Sequence, residues 1–161
     1  MNLTDEQKIE EIYSLSCGRI IRFSHEYYQY LEKFNILIYK DINTDEEKQI
    51  HCMTINSKIS NYQFKTDKKS ENVLMQLKDY GFLDRDSYIY CVDIVPILIK
   101  EIVSQYVTLF LKRNKNAKIS RKTRNDILQV VENSRKIDQA KKNKIILGLK
   151  SVYKENDDVP F

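Results

Sequence analysis

The sequence predicts a mainly α-helical domain with a small central β-hairpin or short antiparallel sheet. Only 3 Gly and 2 Pro occur in 161 residues, which favours long regular elements over a loop-rich fold. Apolar residues recur three or four positions apart in stretches near both ends of the chain. The clearest pair of β-prone runs lies in the middle, at residues 82–92, around the polar turn at residues 84–87. The length suits one domain, or one domain with an appendage.

The first predicted helix begins after Thr4, because Thr4 and Gln7 have the spacing of a capping box. Apolar residues from Ile9 to Phe34 largely keep helical spacing, so the helix is expected to run for about thirty residues. Gly18 is the expected place for a break, since glycine destabilises a helix interior by about 1 kcal/mol.

Two segments that follow are ambiguous. Residues 34–42 are β-branched and aromatic, which is typical of a strand or of the end of a helix. In residues 49–64, Ile50, Cys52 and Thr54 alternate as in a strand, whereas Ile55 and Ile59 have helical spacing. Both interpretations of residues 49–64 stay open.

The centre of the chain is predicted as a helix followed by a hairpin. Ser70 can cap a helix over residues 70–80, and Gly81 is placed as a left-handed residue after its end. The hairpin over residues 82–92 follows. Asp93 can then cap a helix that continues to about Arg113, with Pro96 tolerated in its first turn.

The C-terminal third is predicted as two helices, one capped by Ser120 and ending near Lys136, the other capped by Asp138. It is also basic: residues 112–154 hold 14 Lys and Arg against three Asp and Glu, and the rest of the chain holds 13 against 20. We therefore expect a body at residues 1–111 and a basic helical pair at residues 112–161, packed on the same domain. This asymmetry indicates an anionic partner, or else two solvated lysine-rich helices.

Residues 54–94 resemble the winged-helix pattern of a short helix, a turn, a second helix ending in glycine, and a hairpin with a polar tip. The order of elements in the whole chain is similar to that of MarR-type dimeric regulators. The resemblance implies a homodimeric, DNA-binding regulator of transcription, with the helix at 70–80 in the major groove and the wing at 82–92 on the backbone. The contacts it implies are Lys68, Lys69, Asn72, Gln76 and Lys78 on the helix and Arg85 on the wing.

A second basic cluster lies at residues 119–124. Arg121, Lys122 and Arg124 fall in the first turn of a predicted helix, where the helix dipole disfavours cations. A bound phosphate would explain the cluster, because helix-terminal N–H groups and guanidinium groups hold phosphate together. The alternative is that the helix tolerates these cations without a ligand, since an exposed charge at that position costs only about 0.3–1 kcal/mol.

The pair Arg19 and His25 resembles the Arg-x5-His ribonuclease motif of HEPN domains. That resemblance implies a third function, RNA cleavage, in which an imidazole transfers a proton and a guanidinium stabilises the developing charge. In this chain the motif lies on the first predicted helix, and a surface histidine is the simpler interpretation of His25.

Other catalytic and metal-binding chemistry is not indicated. With two histidines and three scattered cysteines, the chain has no zinc pattern, and three isolated glycines form no phosphate-binding loop. The first residues are acidic and polar and the longest apolar run is short, so we expect neither a signal peptide nor a membrane-spanning segment. We expect a cytoplasmic, non-enzymatic protein without cofactor or metal, whose partner is nucleic acid, with duplex DNA favoured. The alternative is an interaction or inhibitor protein that docks on another protein through its charged surfaces.

Overall fold

A computed structural model describes residues 2–57, 71–109 and 117–150. Five strands form one antiparallel sheet, and helices cover both of its faces, so the mainly α-helical prediction is wrong and the fold is mixed α/β. The strands are β1 (Ile20–Ser24), β2 (Glu32–Ile42), β3 (Lys48–Asn56), β4 (Asn72–Met75) and β5 (Ser87–Leu98). The α-helices are α1 (Asp5–Tyr13), α2 (Arg121–Asn133) and α3 (Gln139–Lys150), and short 3-10 helices span Glu26–Tyr28, Ile99–Glu101 and Val103–Thr108.

The strands lie in the order β1-β2-β3-β5-β4. β2 and β3 form a hairpin in which Leu37 pairs with Cys52 and Ile42 with Lys48, and the register shifts between Leu37 and Tyr39. β4 pairs only with the first part of β5, from Ser87 to Tyr90. On its other side β5 pairs with β3 along both parts, at Tyr88 and Ile89 and again from Ile94 to Leu98.

β2 lies between β1 and β3 and is covered on both faces, which explains its composition. Residues 35–39 are all buried, so this part of the strand is a continuous buried run in which exposed and buried positions do not alternate. β-branched residues suit such a strand because they pack well on a pleated surface. The strand interpretation of residues 34–42 is confirmed, and residues 49–56 of the ambiguous segment are strand as well.

Two apolar cores lie on opposite faces of the sheet. One contains Ile12 of α1 with Leu37, Cys52 and Ile97 of the strands. The other contains buried residues of α2 and α3, such as Ile127 and Ile145, packed with Met53 and Ile89. The basic C-terminal helices therefore complete the core over the sheet.

The first predicted helix is correct at its start and wrong in its length. Thr4 accepts a hydrogen bond from the Gln7 amide at 3.1 Å, and the Gln7 side chain accepts one from the Thr4 amide at 2.9 Å. The helix ends at Tyr13, and β1 occupies residues 20–24. Gly18 has a φ of 87°, a left-handed conformation that glycine adopts easily, and its amide donates to the Leu37 carbonyl at 2.6 Å.

The helix predicted at residues 70–80 is wrong: residues 72–75 form β4, and a turn follows at residues 77–79. Gly81 is not left-handed; among glycines of the described chain only Gly18 is. The hairpin predicted at 82–92 is also wrong, since β5 begins at Ser87 and pairs with β4 and β3. Residues 54–56, placed at the start of a helix by the winged-helix pattern, belong to β3, and residues 58–70 lie outside the described part.

The helix predicted from Asp93 is wrong because β5 continues to Leu98 and 3-10 turns follow. Pro96 lies inside the strand and pairs with His51 of β3. A proline has no N–H to donate, and here it lies beyond the part of β5 that β4 covers. The two C-terminal helices are confirmed: the Ser120 hydroxyl accepts from the Thr123 amide at 3.1 Å, and Asp138 accepts from the Lys141 amide at 2.8 Å.

Candidate nucleic-acid interface

A cavity of about 300 Å³ lies between β4 and α2 and joins two sets of residues that the sequence had suggested separately. Asn72 and Gln76 line it from β4 and the residue after it, and Lys122 lines it from the first turn of α2. The helix predicted to carry Asn72 and Gln76 does not exist, yet the sheet brings both side chains to the basic end of α2. We call this cavity the β4–α2 groove; its other lining residues include Asp79, Tyr80, Asp126 and Gln129.

The first turn of α2 is fixed against the groove by Tyr80. The Tyr80 hydroxyl accepts a hydrogen bond from the Ser120 amide at 3.0 Å and lies 2.6 Å from the Thr123 hydroxyl. The Tyr80 ring is buried in the core that α2 covers. The sequence gives no local sign of this anchor, because it joins residues about forty positions apart and the predicted helix over residues 70–80 does not form.

The three basic residues of the first turn differ in their surroundings. Lys122 is exposed, and its ammonium lies 3.0 Å from the Asp126 carboxylate, which raises the pKa of Lys122. Arg124 donates from Nε and Nη2 to the side-chain oxygen of Asn125 at 3.2 and 3.0 Å. Arg121 is half-buried. At Lys122, phosphate contact would compete with a surface ion pair, which is worth little in water.

Of the three basic residues in the first turn of α2, only Lys122 lines the groove, and the remaining predicted contacts do not line it either. Lys68 and Lys69 lie outside the described residues. Lys78 is exposed in the turn after β4. Arg85 is exposed before β5 and lines a different cavity, of about 190 Å³, together with Glu32 and Lys33.

Arg19 and His25 lie on either side of β1 and not on a helix. Their Cα atoms are separated by the length of that strand, about 20 Å at 3.3 Å per residue. His25 accepts a hydrogen bond from the Tyr27 amide at Nδ1, at 3.1 Å, and its Nε2 lies 3.4 Å from the Glu101 carboxylate. Within one chain, therefore, the structure does not bring this pair together, and its ribonuclease function stays a prediction.

Two buried polar clusters were not anticipated from the sequence. Tyr28, Asn35 and Thr54 form one, with the Tyr28 hydroxyl donating to the Asn35 side-chain oxygen at 2.6 Å. In the other, the His51 ring stacks on Tyr39 at 4.0 Å between centroids.

The second cluster is charged at its edge. His51 Nε2 lies 3.0 Å from the Asp41 carboxylate, but burial outweighs that neighbour and lowers the pKa of His51. Burial, with Asp41 nearby, raises the pKa of Tyr39 to about 12. At neutral pH we expect an uncharged imidazole and an uncharged phenol, packed as part of the core.

Metal and membrane sites are not found in the described ranges. Nowhere in residues 2–57, 71–109 and 117–150 do three or more His, Cys, Asp or Glu come together in a group that could hold a metal ion. Cys17, Cys52 and Cys91 are buried free thiols, and burial raises the pKa of each. No helix in these ranges is long and apolar enough to cross a bilayer.

Comparison with known proteins gives no match: no protein-family model fits the chain, and no curated protein is similar to it.

Proposed function

We propose that the protein binds nucleic acid at the β4–α2 groove, with Arg121, Lys122 and Arg124 contacting phosphates. The observation that supports this most is the meeting of two amide side chains, Asn72 and Gln76, with a basic helix terminus. Arginine and lysine at the start of a helix suit phosphate, and asparagine and glutamine suit the hydrogen-bonding edges of bases. Such a partner fits the cytoplasmic location expected from the sequence.

The proposal concerns the phosphate backbone that DNA and RNA share. Duplex DNA was favoured because a helix over residues 70–80 would have entered the major groove. β4 replaces that helix, so the remaining support is the charge of α2 and the polar lining of the groove. Duplex DNA and single-stranded RNA are therefore both to be measured.

The experiment measures binding of a fluorescent 20-base-pair duplex and of a single-stranded RNA between 50 and 300 mM salt. If Arg121, Lys122 and Arg124 contact phosphates, changing all three to Gln should weaken binding. The slope of log affinity against log salt should fall by about one for each phosphate that is no longer neutralised. Changing Gln76 to Ala should alter base preference and leave that slope unchanged.

A matched control removes the same charge from the face of the sheet that α1 covers, by changing Lys8, Lys48 and Lys100 to Gln. Lys48 and Lys100 form surface ion pairs with Glu10 and Glu47, so the fold should tolerate the change. Equally weakened binding in the control would refute the assignment to α2. Absence of binding to both probes at 50 mM salt would refute the proposed function itself.

A further inference from the structure

The loop between β1 and β2 presents an unusual surface. Tyr27, Tyr30 and Leu31 are large apolar side chains within five residues, and Tyr30 and Leu31 are 72% and 59% exposed. We call residues 26–31 the aromatic loop. Single exposed apolar residues are ordinary, but several together indicate a surface that contacts a partner.

The aromatic loop is held in a strained shape. Gln29 and Tyr30 have φ values of 53° and 61°, a left-handed conformation that side chains with a Cβ rarely adopt. The Tyr30 amide donates to the His25 carbonyl at 3.0 Å, and the partly buried Tyr28 anchors the loop through its hydroxyl, which donates to Asn35 at 2.6 Å. Strain that the surrounding structure maintains is typical of functional segments. In this loop the ring of Tyr30, one of the two left-handed residues, lies in solvent.

A complementary cavity lies elsewhere on the same chain, between the end of α1, β2 and α3. Its volume is about 290 Å³, and it is lined mostly by apolar surface, including Tyr13, Tyr39 and Leu147. Leu147 is 73% exposed at its edge. Gly148 forms part of the wall, where α3 lies so close to β2 that an added Cβ would be 2.3 Å from the Ile38 carbonyl oxygen.

The charges of the two surfaces are opposite. Among the described residues, Lys40 and Lys144 line the cavity together with a single carboxylate, that of Asp41, so the positive charges outnumber the negative one. The aromatic loop begins with the exposed Glu26, whereas Glu32, which follows the loop, is itself paired with Arg22 at 2.7 Å. This separation of positive from negative charge agrees with the acidic body and the basic C-terminal third of the whole chain. Opposite charges around an aromatic anchor are the usual arrangement of a specific protein interface.

We propose that a second copy of this chain occupies the cavity, with Tyr30 of one copy inserted beside Leu147 of the other. The two surfaces belong to one chain, so each copy carries both halves of the contact. When the contact is reciprocal, it closes a two-fold dimer; when it is not, it produces larger assemblies. The expected homodimer thereby acquires a defined interface.

The test is sedimentation velocity of the full chain from about 1 to 500 μM, with Tyr30→Asn and Leu147→Gln as variants. Asparagine tolerates the left-handed conformation, and glutamine is a good helix former, so both variants should fold. Val107, which is 85% exposed and belongs neither to the aromatic loop nor to the cavity lining, supplies the matched control Val107→Gln. We expect the wild type and Val107→Gln to associate, and each of the other two variants to do so at least tenfold more weakly.

Mixing the two weakened variants tests the contact itself. A Tyr30→Asn copy keeps an intact cavity, and a Leu147→Gln copy keeps an intact aromatic loop, so the mixture should form a heterodimer through one intact contact. The proposal is overturned by a wild type that stays monomeric, by variants that associate normally, by equal weakening in Val107→Gln, or by a mixture that does not associate. None of these outcomes depends on nucleic-acid binding, so the two proposals fail separately.

Discussion

At the scale of single residues, Gly148 shows how a close approach of two elements overrides helix propensity. It lies inside α3, where alanine normally stabilises a helix by about 1 kcal/mol relative to glycine. Its missing side chain, however, allows α3 to contact the Ile38 carbonyl of β2. A Cβ there would force the helix away from the sheet.

We therefore expect Gly148→Ala to destabilise the protein by about 1–3 kcal/mol, the usual cost of overpacking. Gly81→Ala is the matched control, since no atom lies within 4 Å of a Cβ at Gly81 and its φ is not positive. That control should be neutral or stabilising by about 0.4–1 kcal/mol. Urea unfolding measures both; a Gly148→Ala variant as stable as the wild type would contradict the close packing.

His51 should make stability depend on pH. Burial lowers its pKa in the folded state, so the unfolded chain binds more protons as the pH falls. Stability is then complete above the ordinary histidine pKa of about 6.5 and is lost as the pH falls below it. Replacing His51 with Gln should flatten this dependence between pH 7.5 and 5.5.

The neighbouring carboxylate gives a control of opposite sign. Asp41 favours the charged imidazole, whereas burial, Lys144 and Lys141 oppose it. Asp41→Asn should therefore make the loss of stability on acidification larger. If neither variant changes the pH dependence of stability, that dependence comes from groups other than His51.

At the scale of elements, the orientation of α2 depends on one hydroxyl. Tyr80→Phe removes the acceptor of the Ser120 amide and the partner of Thr123, while keeping the ring in the core. Leaving such groups unsatisfied costs about 1–3 kcal/mol. We expect that decrease in the free energy of unfolding in urea, with weaker nucleic-acid binding if the groove is the site.

Tyr88→Phe is the matched control, because Tyr88 is half-buried and its hydroxyl has no hydrogen-bond partner in the part of the chain that the structure describes. It should change stability by less than about 0.5 kcal/mol. Similar destabilisation in both variants would indicate that the Tyr80 hydroxyl does not position α2.

Local chemistry correctly predicted three capped helix starts, although the same reasoning predicted helices from Ser70 and Asp93 that do not form. The starts of α1, α2 and α3 follow from Thr4, Ser120 and Asp138, because a cap acts over four neighbouring residues. The extension of the first helix beyond Gly18 failed because Ile20, Ile21 and Phe23 are buried in a strand with apolar contacts on both faces. Because apolar residues are adjacent in such a run, some of them fall three or four positions apart by coincidence and imitate the spacing of a helix.

At the scale of the whole molecule, the sheet should be the most persistent part of the structure. β2 and β3 lie between other strands and between two apolar cores, so opening them requires disruption of both. Hydrogen exchange should be slowest at hydrogen-bonded amides of residues 36–38 and 52–53 and faster in α1 and at the short edge strand β4. Equally slow exchange in α1 would contradict this order.

The candidate site could be predicted only in part from the sequence. The charge of Arg121, Lys122 and Arg124 and the start of their helix were evident, because they depend on adjacent residues. That Asn72 and Gln76 face Lys122 depends on β4 lying at the edge of the sheet beside α2. Such a pairing joins residues about fifty positions apart, and no local pattern encodes it.

The sequence by itself determined the starts of α1, α2 and α3, the basic C-terminal third and the absence of a zinc pattern, since each depends on composition or on a few adjacent residues. Only the tertiary structure decided that residues 72–79 and 93–98 are strand and turn instead of helix, and that the C-terminal helices cover the sheet. The physical reason is that β-branched apolar runs of this length are compatible with both helix and strand. The choice between them is made by long-range hydrogen bonding and by burial on two faces.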